Sequence, residues 1–140
     1  MPTAIYVDTK GIIRAWINAQ TSLVGPGMPL PLGAHLKLLR SPFAGAYALV
    51  GIVGGTDTLL AEGCHRARVT VSLFGLSQEG AARAAVAYAN QLRALRGGNT
   101  AMTGAVCLTI GDITGPLDVT PPGDEAAQYL VDADFYFLPA

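Results

Sequence analysis

Hydrophobic and polar positions alternate with two different periods along this chain. In "DTKGIIRAWINAQ" (8–20), Ile12, Ile13, Trp16 and Ile17 recur at helical spacing, while Arg14, Asn18 and Gln20 fall on the other side. That is the stripe of a helix lying on a core, with Asp8 placed to cap its free N–H groups. "RARVTVSLF" (66–74) switches to a period of two. Ala67, Val69, Val71 and Leu73 share one face, and Arg66, Arg68, Thr70, Ser72 and Phe74 share the other. This is a half-buried strand. It runs straight into a second, alanine-rich helix. Ser77 is the expected cap, Gln78 and Glu79 lie in the first turn, and the expected buried stripe is Ala82, Ala85, Val86, Ala89 and Leu92. Arg93 and Arg96 suit its negative end, and Gly97 is the expected stop.

The remaining segments read as strands and links. Three prolines and three glycines in "LVGPGMPLPLGAH" (23–35) exclude a regular element, so this segment is expected to lie over the core through Met28, Leu30 and Leu32. "HLKLLR" (35–40) and "AYALVGIVGG" (46–55) are strand candidates, with Pro42 and Gly45 between them favouring a reversal. "TDTLLAEGCH" (56–65) reads as a loop or hairpin tip. A strand around 105–113 sets Val106, Leu108 and Ile110 against Cys107, Thr109 and Gly111, and 116–126 reads as a turn-rich link. The last strand, 127–138, puts Tyr129, Val131, Ala133, Phe135 and Phe137 on one face. Leu130, Asp132, Asp134, Tyr136 and Leu138 take the other. The order predicts an α+β fold in one domain: a mainly antiparallel sheet packed against two helices. Trp16, Val69, Val71, Leu73, Val86, Leu92, Phe135 and Phe137 are the expected core.

Composition narrows the function classes. The chain has 140 residues, of which 51% are hydrophobic and 14% charged, with a net charge of -1. So little charge suggests that some apolar surface is covered by a partner. The balance offers no basic field for sequence-specific nucleic-acid binding. No apolar run approaches a membrane span, and "MPTAIYVDTK" lacks the charged and apolar regions of a signal peptide, so folding in a reducing cytosol is expected. Two cysteines are too few for a disulfide framework.

Candidate chemistry is sparse. Cys64, His65, Cys107 and His35 have no metal-ligand spacing, and "GIVGG" (51–55) lacks the following helix that a phosphate cradle needs. Asp132 and Asp134 point to one side of a strand, where paired acids can share a proton or hold a divalent cation. Arg66 and Arg68 likewise share a side. The two rows could pair across strands within one chain, or arginine could meet a carboxylate of a neighbouring subunit. The expectation is no catalytic residue, no cofactor and no metal. Leu59 and Leu60, with no periodic partner, and Leu138 at the C-terminal end are expected at intermolecular contacts.

Taken in order, "TSLVGPG" (21–27), "ALVGIVGG" (48–55), "RARVTVSLFG" (66–75), "LSQEGAARAAVAYANQLRAL" (76–95) and "VDADFYFLPA" (131–140) resemble the tail-completion, or tail-terminator, family of long-tailed bacteriophages. The likeness covers nearly the whole length and rests on the order of the motifs. It departs at "PF" near position 42, where "PY" is usual, and in the proline-rich 116–123 link. The resemblance implies a non-enzymatic virion protein made in the host cytoplasm. It implies a homo-hexameric ring on top of the tail tube, touching the tail tube protein and the head-to-tail connector protein, with the genome passing through its lumen. Two alternatives stand beside it: an adaptor elsewhere at the head-tail junction, or a small α+β enzyme using Asp132 and Asp134.

Overall fold

The structure is a computed structural model that describes residues 7–39, 45–53, 58–59, 64–122 and 127–139. Two helices, α1 (Thr9–Asn18) and α2 (Gln78–Ala94), pack on a mostly antiparallel sheet. Its strands are β1 (Ala34–His35), β2 (Tyr47–Ile52), β3 (Thr58–Leu59), β4 (His65–Gly75), β5 (Thr100–Met102), β6 (Ala105–Asp118) and β7 (Ala127–Pro139). The order across the sheet is β1-β2-β4-β7-β6-β5, with β3 pairing beside β4. This is the expected α+β architecture. β1 and β2 pair in parallel, so the simple reversal expected between them does not occur. Of the expected 35–40 strand only His35 pairs among the described residues, as the second residue of β1, since the chain bends at 36–37; Arg40 lies outside the described residues. Pro42 lies outside the described residues.

α1 begins as its sequence requires. The Asp8 carboxylate accepts from the Gly11 N–H, and Ile12, Ile13, Trp16 and Ile17 are buried. Asn18, expected to face water, instead acts as a strand partner. Its Oδ1 accepts from Ala34 N at 2.7 Å and its Nδ2 donates to Ala34 O at 3.2 Å. Gly33, at φ +73°, makes this approach feasible, because a Cβ there would lie 2.6 Å from Asn18 Oδ1. Asn18→Ala strands the N–H of buried Ala34 and is expected to cost about 1–3 kcal/mol, measured by denaturant unfolding. Unchanged stability would mean that water replaces the side chain.

The core lies between the helices and one face of the sheet. Ala48 and Val50 of β2, Val69, Val71 and Leu73 of β4, and Val131, Ala133, Phe135 and Phe137 of β7 fill it. α1 lies against β1 and β2, and α2 against β4, β6 and β7. Trp16 meets Tyr88 edge-on at 6.4 Å and joins the two helices. Leu23 and Leu30 seal one side, whereas Met28 is 42% exposed and does not join the core as expected. Phe74 is buried on the opposite face, stacked on Tyr47 at 5.0 Å.

Two registers differ from the sequence pattern. α2 buries Ala81, Ala84, Ala85, Tyr88, Ala89 and Leu92. Val86 is 51% exposed and is not a core residue, and Ala82 is only half-buried. Tyr88 is the largest side chain on this helix, and seating its ring inside sets the rotation. The helix then tightens into a 3-10 turn, Leu95–Gly97, closed by Gly98 at φ +103°, one residue beyond the expected stop.

In β6 the ladder shifts between Cys107 and Thr109. Ala105 and Cys107 point inward before the shift and Ile110 after it. The bulge thus places Cys107 and Ile110 in the same core, although simple alternation sets them on opposite faces. β6 also continues to Asp118 through two further register shifts, so 116–118 is strand rather than link.

The Tyr88 hydroxyl is buried with no hydrogen-bond partner among the described residues. Burial, and secondarily the charge of Asp132, push its pKa far above the usual tyrosine range. An unsatisfied buried hydroxyl is a cost, so Tyr88→Phe should leave stability unchanged or raise it, by up to about 1 kcal/mol in thermal or denaturant unfolding. A clear loss would reveal a bond from that hydroxyl in solution.

Candidate interaction surfaces

The face of the sheet away from the helices carries the predicted charged rows. β4 and β7 pair with Arg68 opposite Asp134, Thr70 opposite Asp132 and Arg66 opposite Tyr136. The in-register pair is made: Arg68 Nη1 lies 3.4 Å from Asp134 Oδ1. Arg68 also donates to Asp112 O at 3.2 Å and to Thr114 Oγ1 at 2.9 Å, across β7 on β6. Arg68 therefore staples three strands of its own chain, the intrachain alternative raised by the sequence. Asp134 is 7% exposed and engaged by this arginine. Arg66 is half-buried, and among the described residues neither its Nε nor Asp132 Oδ1 has a hydrogen-bond partner. The two aspartates share a face but have different surroundings.

The predicted metal-ligand candidates are scattered. His65 is buried at 1% exposure as the first residue of β4, not in a loop as expected. Its Nδ1 accepts from Val7 N at 3.1 Å. His35 Nε2 donates to Leu32 O at 2.7 Å, and its ring rests edge-on against Tyr47. Cys107 is fully buried, and burial pushes its thiol up to about 11. Among the described residues no group of three or more His, Cys, Asp or Glu side chains could hold a metal ion.

Leu59, expected in an unpaired loop, forms part of β3. It lies opposite His65 and is half-buried. Leu60 lies outside the described residues. Leu138 is 36% exposed and sits opposite Val106 on the helix-free face. Sequence reasoning missed two exposed apolar residues at the other end of the same ladder. Leu117, 50% exposed, lies opposite Leu130, and Val119 is 37% exposed beside Gln128. Together they give the helix-free side of β6 and β7 an apolar fringe around the Arg68–Asp134 centre. A second exposed apolar strip lies on the outer side of α2, where Ala82, Val86 and Ala87 form a shallow depression edged by Glu79, Arg83 and Asn90.

Comparison with protein families, curated proteins and solved structures gives no match to this chain.

Proposed function

We propose that the chain is a structural subunit of the tail-terminator kind: a non-catalytic wedge that assembles into a six-membered ring on a phage tail tube. In that role it ends tube growth and presents a surface to the head-to-tail connector at the neck of the virion. The reading rests on the ordered motifs of the sequence. The observation that best supports it is the helix-free face of β6 and β7. There Leu117, Val119 and Leu138 are exposed around a self-contained ion pair, while the opposite face is filled by two helices. A ring closes through two different surfaces of each subunit, and an open sheet face with an apolar fringe can serve as one of them.

The test is assembly. Purified chain incubated with growing tail tubes should cap them, giving tubes of defined length with six-fold rings at one end by electron microscopy. Tubes that elongate as they do without the chain would overturn the reading. Capping of the connector without any effect on tube length would instead support an adaptor elsewhere at the junction. Leu117→Ser together with Leu138→Ser should leave the fold intact and reduce capping.

A further inference from the structure

The outer side of α2 has a pattern that the core does not explain. At about 100° per residue, Glu79, Ala82, Asn90 and Arg93 all point within about 40° of Val86. The order along this line is Glu79, Ala82, Val86, Asn90, Arg93. Glu79 stands seven residues before Val86 and Arg93 seven residues after it, while Ala82 and Asn90 stand four away on either side. Glu79, Val86, Asn90 and Arg93 are exposed. Among the described residues Glu79 has one loose partner, Arg83 on its own helix at 3.6 Å, with both side chains largely in solvent.

A second helix of the same sequence, laid antiparallel with Val86 on Val86, brings each Glu79 to the other copy's Arg93. Each Ala82 then faces the other Asn90. Both ion pairs form at once, because the charges are mirror-placed about one residue. The small side chain of Ala82 lets the backbones approach, and the antiparallel helix dipoles also attract. The two glutamates end about 21 Å apart, too far to repel strongly. A parallel arrangement would instead set glutamate against glutamate and arginine against arginine.

We propose that free copies of this chain associate in pairs through α2, antiparallel about a two-fold axis at Val86. The contact is isologous, so it stops at two copies and cannot itself close a ring. It uses the layer opposite the open sheet face and is independent of the functional reading above. It is a small interface, so the association is expected to be weak and visible at high protein concentration.

Cysteine cross-linking tests the symmetry directly. In a Cys64→Ser background, Val86→Cys should link to its own copy under mild oxidation. Glu79→Cys alone and Arg93→Cys alone should not, but a mixture of those two variants should link to each other. Sedimentation should show Glu79→Arg and Arg93→Glu each weakening pairing about tenfold, since each reversal breaks both symmetric ion pairs, and the double reversal should restore it. Circular dichroism of each variant verifies that these solvent-exposed changes leave the fold intact. Failure of Val86→Cys to link above the single-site controls, or a double reversal no better than the singles, would overturn the proposal.

Discussion

Leu92→Ala is expected to lower the unfolding free energy by about 2–5 kcal/mol. Leu92 is fully buried on α2, and the reason for its weight lies in its neighbours. The side of α2 that meets the sheet is built mainly from Ala81, Ala84, Ala85 and Ala89, so Tyr88 and Leu92 supply most of its apolar bulk. Alanines bring the helix backbone close to β4, β6 and β7 and leave little slack for the helix to sink into a new cavity. A cavity that cannot collapse costs more than the lost transfer energy alone. Val86→Ala on the same helix removes a half-exposed side chain and should change stability by less than about 0.5 kcal/mol. Measured by urea unfolding, the two variants therefore test the register of the helix. Similar losses at both positions would contradict it.

That contrast shows why the α2 register was hard to read. In an alanine-rich helix the apolar stripe has little contrast, and Val86 at the expected spacing looks as good as Tyr88, although the two lie about 160° apart round the helix. Packing volume decides the matter: the tyrosine ring fills the space beside Trp16, which valine at position 86 could not reach. The strands β4 and β7 were legible because the ladder between them runs uninterrupted over eleven paired residues. β6 was not, because a bulge leaves no local mark in "AVCLTIGDITG" and reverses which residues face inward. The parallel pairing of β1 with β2 was equally hidden, since pairing direction depends on where the chain travels between them.

The candidate surface was legible in part for the same reasons. Alternation placed Arg68 and Asp134 on outer faces, but only the adjacency of β4 and β7 makes them partners. Leu117 was missed because 116–126 looked like a link. Two prolines after Val119 and Pro116 itself gave that impression, although Leu117 is paired with Leu130.

Phe135→Ala should have the largest effect of any single truncation, about 3–5 kcal/mol. Phe135 has no solvent exposure and sits in β7, which is flanked by β4 on one side and β6 on the other. Its ring stacks on Phe137 at 5.8 Å with an interplanar angle of 11°. Directly across the ladders lie Ala67 and Ile110. Ala67 offers no bulk that could move into the vacated space, and Ile110 is held by the β6 bulge that turned it inward. Removing the ring therefore loses buried area, the contact with Phe137 and the support of two neighbouring strands at once. Phe135→Leu keeps most of the volume and should cost well under half as much, because volume-conserving apolar exchanges are tolerated best. Leu138→Ala, three residues on and facing solvent, should be nearly silent in unfolding. Denaturant midpoints for the three variants should rank in that order, with Phe135→Ala weakest. If Leu138→Ala proved as damaging as Phe135→Ala, the face assignment of β7 would be wrong, and with it the surface proposed for ring contacts.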